Sequence, residues 1–312
     1  LKSPDPGAPG LVSVIVPAYG HEAFVAAALD SVAAQTHAAV ELIVIDDCSK
    51  DATFARIEEW VAASGARDRF ARLVVRRNET NLGAHGTLNL GLELARGTYV
   101  SLLNSDDMYD PERLAVLVAA ARRTGGEFLF SGVKVVDARG DRLTGPGLPS
   151  QIEFMADYVD AFPSVSYALL GRNVAVSTGN FFFTRDLARR VGGFSSLKYC
   201  HDWDFILRAS LITEPVLAPR PLYLYRVHGA NTFAALKREE ILEPEFLRHQ
   251  FFQSGKAGLA RNPLAAVPVN WPGFFDFFAS SDGSVGWANH VAGGDRIRIG
   301  EVLRRIAQAQ NG

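Results

Sequence analysis

VELIVIDD, residues Val40–Asp47, is a short apolar run rich in β-branched residues that ends in two acids. That is the pattern of a strand buried on both faces, and a helix-compatible segment, Ala52–Ser64, follows it. The same unit repeats outward in both directions. Upstream, LVSVIVP (Leu11–Pro17) reads as a strand and the Ala-rich Glu22–Gln35 as a helix. Downstream come a short strand at Arg72–Arg76, a helix at Ala84–Ala95 that stops at Arg96-Gly97, and a strand at Thr98–Leu103 (TYVSLL). A helix with Pro111 at its first position runs to Arg123, and a fifth strand spans Phe128–Val136. Strand and helix thus alternate from residue 11 to 137, which predicts an α/β chain: a mostly parallel, Rossmann-like sheet with helices on both faces. In such sheets ligands bind past the carboxyl ends of the strands.

The rhythm breaks after Gly140. A Gly/Pro loop (Gly140–Pro149) precedes an expected helix at Gln151–Phe162, a strand at Asn180–Thr184, a helix at His201–Leu211 and a strand at Leu222–Val227. Residues 1–10 read as a Pro/Gly-rich arm, 11–235 as the main domain, and 236–312 as a mainly helical extension. That extension carries an aromatic cluster (Phe251, Phe252, Trp271, Phe274, Phe275, Phe277, Phe278), expected to pack on the core.

Bulk properties exclude several classes. A formal charge of −2 over 312 residues gives no reason to expect a nucleic-acid partner. Cys48 and Cys200 have no metal-binding spacing and read as free thiols, which favours a reducing compartment. No run reaches the ~18 apolar residues of a membrane span. There is no GxGxxG after a strand, no GxxxxGK[ST], no HExxH and no GxSxG. The sequence carries no signal for an oligomeric state.

The polar residues at the strand ends are the candidates for chemistry. The first strand runs into Pro17-Ala18-Tyr19, the second into Asp46-Asp47, and the fourth into Asn104-Ser105-Asp106-Asp107. Neighbouring carboxylates repel unless a positive charge lies beside them. One or two carboxylates with phosphate oxygens is the usual way to hold Mg²⁺ or Mn²⁺ at a transferable group. Taken singly, the acidic turn reads equally well as solvated, Asp46-Asp47 as a cap for the next helix, and Tyr19 as packing. The three groups gain weight because a parallel sheet brings them to one edge.

With these motifs in view, the chain resembles the family 2 glycosyltransferases of the GT-A fold over about Val12 to Asn231. The matching stretches are Val12–Tyr19 (VSVIVPAY), Glu41–Asp51 (ELIVIDDCSKD), Asn81–Gly91 (NLGAHGTLNLG), Ala95–Asp107 (ARGTYVSLLNSDD), Gly179–Phe194 (GNFFFTRDLARRVGGF), His201–Arg208 (HDWDFILR) and Tyr225–Asn231 (YRVHGAN). The resemblance implies a nucleotide-sugar half at 11–137 and an acceptor half at 138–235. Pro17, Ala18 and Tyr19 would line the nucleotide base, with Glu22 near the ribose or base. Asp47 would accept a hydrogen bond from the base, with Asp46 orienting it. Asn81 and Gly83 would shape the adjoining wall, and Asp106 would contact ribose or sugar hydroxyls. Asp107 would ligate a divalent metal (Mn²⁺ or Mg²⁺), with His228 approaching the metal or diphosphate. Asp202 would be the catalytic base of an inverting transfer, and Gly179, Asn180 and Trp203 would border the acceptor.

The chain departs from the family pattern at three places. Asn104 replaces the first carboxylate of the acidic turn on the donor side, His201 replaces the acid before Asp202, and Leu88 stands where many members have Arg. The donor contact of that arginine would then be missing, or supplied elsewhere by Arg76 or Arg77. The resemblance implies a nucleotide-sugar donor, UDP first, and a carbohydrate or lipid-linked acceptor in bacterial surface polysaccharide or glycoconjugate assembly. The expected location is the cytoplasm, with peripheral contact at the inner membrane left open. The rival readings are a sugar-nucleotide nucleotidyltransferase, whose basic loop after strand one is missing from AYGHEAF (Ala18–Phe24), and a non-catalytic binding module.

Overall fold

A computed structural model of the chain describes residues 10–63, 65–160, 162–229 and 243–271. The first half follows the predicted alternation. It comprises β1 (Val12–Ala18), α1 (Val25–Ala33), β2 (Val40–Asp46), α2 (Thr53–Ala63), α3 (Ala66–Arg69), β3 (Arg72–Arg77), α4 (Gly83–Leu94) and β4 (Tyr99–Leu102). A two-residue strand, β5 (Met108–Tyr109), then leads to α5 (Arg113–Thr124) and β6 (Phe128–Val136). The second half contains α6 (Leu148–Glu153), α7 (Met155–Asp160), α8 (Val165–Gly171), β7 (Phe182–Thr184), α9 (Arg185–Val191), α10 (His201–Ser210), β8 (Val216–Arg226) and α11 (Glu243–Lys256).

The eight strands form one sheet in the order β3-β2-β1-β4-β7-β6-β8-β5. Strands β3, β2, β1 and β4 are mutually parallel. β7 is antiparallel to both β4 and β6, which leaves β6 running with β4, and β8 is parallel to β6. The carboxyl ends of β1, β2, β4 and β8 therefore open on one edge.

Alternate residues of each strand face opposite sides of the sheet, and two buried clusters show which helices cover them. Val12, Val14 and Val16 of β1 pack with Val25, Leu29 and Val32 of α1, Ile57 of α2 and Leu114 and Leu117 of α5. Ile15, Ile43 and Val100 pack on the other face with Leu88 of α4, Tyr167 of α8 and Phe205 of α10. Gly91 of α4 has no room for a Cβ, which would lie 2.4 Å from the Ile15 side chain, so α4 lies directly on β1. Leu88, where the family pattern has Arg, is 1% exposed and part of this core.

Several boundaries differ from expectation. The helix expected at Glu22 starts at Val25, because residues 21–24 form a turn held by Phe24 N–H and Val25 N–H on the His21 carbonyl. The helix expected at Pro111 starts at Arg113, after a turn closed by Arg113 N–H on Asp110 O. The expected helix Gln151–Phe162 is two short helices, α6 and α7, and α8 has no counterpart among the predicted elements. The strand expected at Asn180 begins at Phe182, behind a 3₁₀ turn at Thr178–Asn180. β8 begins six residues earlier than the predicted strand and passes an irregularity opposite Ser131–Val133. Of the C-terminal aromatics, Phe251 is buried at 2% exposure and Trp271 stacks edge-on to Tyr167. Phe274, Phe275, Phe277 and Phe278 lie outside the described residues. Both cysteines are free thiols.

Candidate active site

The site is built along the open edge of the sheet. β1 ends in half-buried Pro17 and buried Ala18, and the chain turns through exposed Tyr19 (47%) and Gly20. Gly20 N–H donates to Ser49 Oγ and His21 N–H to Thr53 Oγ1, which ties this turn to the loop after β2. Glu22 accepts from Ala52 N–H at 2.7 Å and so caps the start of α2, a role equally open to Asp51, which accepts from Thr53.

Asp46 and Asp47 are both buried, and they do different things. Asp47 Oδ1 accepts from Asn78 Nδ2 and from Leu82 N–H, each at 2.8 Å, which fixes the entrance to α4. Asp46 Oδ2 pairs with Arg77 Nε at 3.3 Å and accepts from Ser49 N–H. Asp46 Oδ1 is buried with no partner among the described residues, an uncommon arrangement at a site without function. Exposed Asn81 accepts from Gly83 N–H, and Gly83 takes φ +73°, which a residue with a Cβ rarely adopts. Arg77 is committed to Asp46 and to Ser49 O, while Arg76 is exposed on the β3 rim.

The acidic turn after β4 sets its two carboxylates in different surroundings. Asp107, expected to hold the metal, is 1% exposed, and its oxygens are taken up inside the protein. They accept from Tyr223 Oη, from Arg226 N–H at 2.8 Å and from Asn104 Nδ2 at 3.2 Å. Burial, reinforced by the Asp106 charge, pushes the Asp107 carboxyl well above the usual carboxylate range. Asp106 is the carboxylate that faces imidazoles. His228 Nε2 lies 3.0 Å and His21 Nε2 3.7 Å from its Oδ2. Burial alone would raise Asp106, but the hydrogen bond from His228 and the nearby His21 bring it below its ordinary value. Burial holds His21 below the usual histidine value against the pull of Asp106.

The ligand-capable atoms of His21, Asp106 and His228 lie within 4.8 Å of one another. Their chemistry suits a divalent cation: an ionised carboxylate and an imidazole biased to its neutral, lone-pair-bearing form. His21 Nδ1 bonds Ser105 Oγ at 2.8 Å, which turns Nε2 toward Asp106 and supplies the outer hydrogen bond typical of histidine ligands. The His228 ring packs on Phe24 at 4.4 Å between centroids, and the Arg226 guanidinium lies over the Phe24 ring. The grouped atoms belong to His228, expected near the metal, to Asp106, expected at ribose or sugar hydroxyls, and to His21, which no motif marks. The one signal for His21 in the sequence is its place as a polar residue directly after the first strand, in a loop notable otherwise for its lack of Lys and Arg.

The second group of functional candidates lies on the segment Asn173–Asn180 and the start of α10. Partly exposed Asp202 accepts from Asn173 Nδ2 at 2.9 Å and from Trp203 N–H at 2.6 Å. Burial pushes its carboxyl above the usual range, against the neighbouring His201. Asn173 Oδ1 accepts from Ala175 N–H, so its amide is fixed with the NH₂ toward Asp202. Val176 takes φ +71°, a strained conformation for a β-branched residue. Ser177, next in the chain, bonds Asn104 and Tyr223, the partners of Asp107. Gly179 is packed so closely that a Cβ would stand 2.1 Å from Tyr223 Oη and 2.8 Å from Asn104 N.

Asn180 and Trp203, expected at the acceptor, have their side-chain polar groups bonded within the fold. Asn180 Nδ2 donates to Ser131 O and Ala175 O, its Oδ1 accepts from Ser131 N–H, and the residue is fully buried. Trp203 is 8% exposed, and its indole N–H donates to Leu169 O at 2.7 Å.

A sequence model of glycosyl transferase family 2 matches residues 13–185. An uncharacterized glycosyltransferase of Haemophilus influenzae is 27% identical over 72% of this chain and 67% of its own length. The Escherichia coli UDP-Glc:alpha-D-GlcNAc-diphosphoundecaprenol beta-1,3-glucosyltransferase WfgD is 30% identical over 41% of this chain and 47% of its own. Among solved structures, Staphylococcus aureus TarS 1–349 superposes with a TM-score of 0.58 at 25% identity, covering 77% of this chain and 65% of that one. The chain spans about two thirds of the length of the first curated relatives it matches. No helix among the described residues is long and apolar enough to cross a membrane.

Proposed function

The chain belongs to glycosyl transferase family 2, and on that premise we propose that it moves a sugar from a UDP-sugar to a hydroxyl group of a carbohydrate or lipid-linked acceptor, with inversion at the anomeric carbon. The observation that carries this reading is the convergence of His21, Asp106 and His228 on the edge where the ends of β1, β2 and β4 meet. Tyr19 and the Pro17–Ala18 end of β1 flank the base, with Asp46 and Asp47 behind it. The unpartnered Asp46 Oδ1 supports a polar contact toward the nucleotide at this wall. WfgD, by its name, draws on UDP-Glc and an alpha-D-GlcNAc-diphosphoundecaprenol acceptor, which supports UDP as the nucleotide and a lipid-linked acceptor.

Asp106, His21 and His228 are the residues to hold a divalent ion, and two imidazoles favour Mn²⁺ over Mg²⁺, which takes oxygen ligands. When bound, the ion neutralises charge that develops on the departing diphosphate. Asp107 braces the turn from below through Tyr223 and Arg226. Asp202 takes the proton from the attacking hydroxyl. Each of its oxygens accepts one internal hydrogen bond, which leaves lone pairs for that proton, and the upward shift of its carboxyl strengthens it as a base. Gly179, without a side chain, leaves this segment close to the acidic turn.

Calorimetric titration of UDP, dTDP and GDP with Mn²⁺ and again with EDTA tests the reading. UDP should bind only with the metal. Equal UDP binding with and without chelator would overturn the metal role, and binding of none of the three would overturn the donor.

A further inference from the structure

Glu243 opens α11, in the part of the chain beyond the family match, and its side chain reaches back to the segment before Asp202. Its Oε1 accepts from Lys198 N–H, and its Oε2 accepts from both Tyr199 N–H and Cys200 N–H, all at 2.9 Å. Cys200 is the N-cap of α10 and provides no side-chain cap of its own. A carboxylate at this position does what an N-cap does: it satisfies backbone donors and places negative charge at the positive end of the helix. Hydrogen bonds to a charged acceptor are the stronger kind, and Glu243 is only 9% exposed.

Five residues further along α11, Arg248 holds the exit from α8. Its Nε donates to Leu170 O at 2.8 Å and an Nη to Gly171 O at 2.9 Å, and its guanidinium lies 5.0 Å from the Trp203 ring centre. Trp203 itself donates to Leu169 O. The last carbonyls of α8 are thus gathered by Arg248 and Trp203, and two residues beyond them stands Asn173, whose amide is on Asp202. Both approaches to Asp202, the turn before α10 and the exit from α8, are tied to one helix.

From this arrangement we infer that α11 is the splint that fixes Asp202 in place, with Glu243 as its positioning residue and Arg248 as its second anchor. The inference rests on Asp202 being the base proposed above. Glu243 acts through backbone amides and touches neither donor nor acceptor, so its loss lowers turnover and spares donor binding.

The test uses the full chain in two measurements. In amide hydrogen exchange, Glu243→Gln should speed exchange across residues 198–203 about tenfold to a hundredfold, since it replaces a charged acceptor of three N–H groups. Arg248→Lys, which keeps the charge and loses the paired contacts, should speed exchange across 170–174. Unchanged exchange in both variants would overturn the splint. In the second measurement, hydrolysis of UDP-glucose, UDP-GlcNAc and GDP-mannose is followed with Mn²⁺ for wild type, Glu243→Gln, Asp202→Asn and the double variant, using the sugar nucleotide that wild type turns over fastest. Glu243→Gln should lose about tenfold or more in kcat with donor KM unchanged, and it should cost little more once Asp202 is already Asn. Independent, multiplying losses would overturn the action through Asp202. Loss in Asp202→Asn alone would sink the splint and leave the proposed function standing, whereas full activity in Asp202→Asn would sink both.

Discussion

Two regions meet at this site, and they are built by opposite means. The donor side rises from β1, β2 and β4, three adjacent parallel strands whose ends fall together because the sheet itself aligns them. The acceptor side has no such frame. Asp202 is held by Asn173 from 29 residues upstream and by the clamp from α11 some forty residues downstream. The proposed donor side takes its frame from strand register, with His228 and the brace on Asp107 added from the end of β8, while the proposed acceptor side rests on long-range side-chain bonds alone. Changes on the donor side should therefore alter ligand affinity, and changes on the acceptor side should alter rate.

The largest test of that division is Asp202→Asn, which should cut kcat about 10²–10⁴-fold while calorimetry finds the affinity for UDP with Mn²⁺ unaltered. A parallel loss of affinity would erase the division. Next come the two acids of the turn. Asp106→Ala should weaken Mn²⁺-dependent UDP binding at least about tenfold, and His21→Ala about as much, since even outer-shell partners of a metal cost about 10–100-fold. Asp107→Asn should instead lower stability by about 1–3 kcal/mol in a denaturant titration, because an amide NH₂ replaces the oxygen that accepts from Tyr223 and Asn104. If Asp107→Asn abolished the metal requirement in a stable protein, the assignment of the two acids would be reversed.

Gly179→Ala probes the seam between the regions, where the new methyl group would collide with Tyr223 and Asn104. It should cost about 1–3 kcal/mol of stability by thermal unfolding, with donor affinity falling only as the turn deforms. The smallest effect expected is on the pH profile. With Asp202 as the proposed base and its carboxyl raised by burial, activity should fall, as pH is lowered, above the ~3.9 of an ordinary aspartate. His201 opposes that rise, and His201→Gln should move the acid limb to higher pH. A limb that did not move would remove His201 from the electrostatics of the base.

How much of this is legible in the sequence follows the same division. The buried runs at Leu11–Pro17, Val40–Asp46 and Thr98–Leu103 announce strands, and their acidic or polar ends announce the edge. What the sequence cannot carry is which of two adjacent acids turns inward. Asp106 and Asp107 are separated by the facing of one turn, and that facing is set by Tyr223 and Arg226, more than a hundred residues later. His21 is visible but has no partner in sequence. Trp203 and Asn180 match an acceptor-side pattern, yet their polar atoms are spent on Leu169, Ser131 and Ala175, contacts that exist only once α8, β6 and β7 are packed. Glu243 stands outside every motif, and only the fold brings it to α10.

The antiparallel insertion of β7 between β4 and β6 has a consequence for biosynthesis. Tyr99–Ser101 on β4 pair with Phe182–Thr184, and roughly eighty residues of chain separate the two. At about 5–20 residues per second of translation, β4 emerges several seconds ahead of the strand that completes it. During that interval the nascent sheet ends in unpaired backbone flanked by apolar residues, the kind of open border that recruits foreign strands. That border of β4 stays open until β7 has been made, so slowing synthesis between residues 102 and 182 should lower the soluble yield.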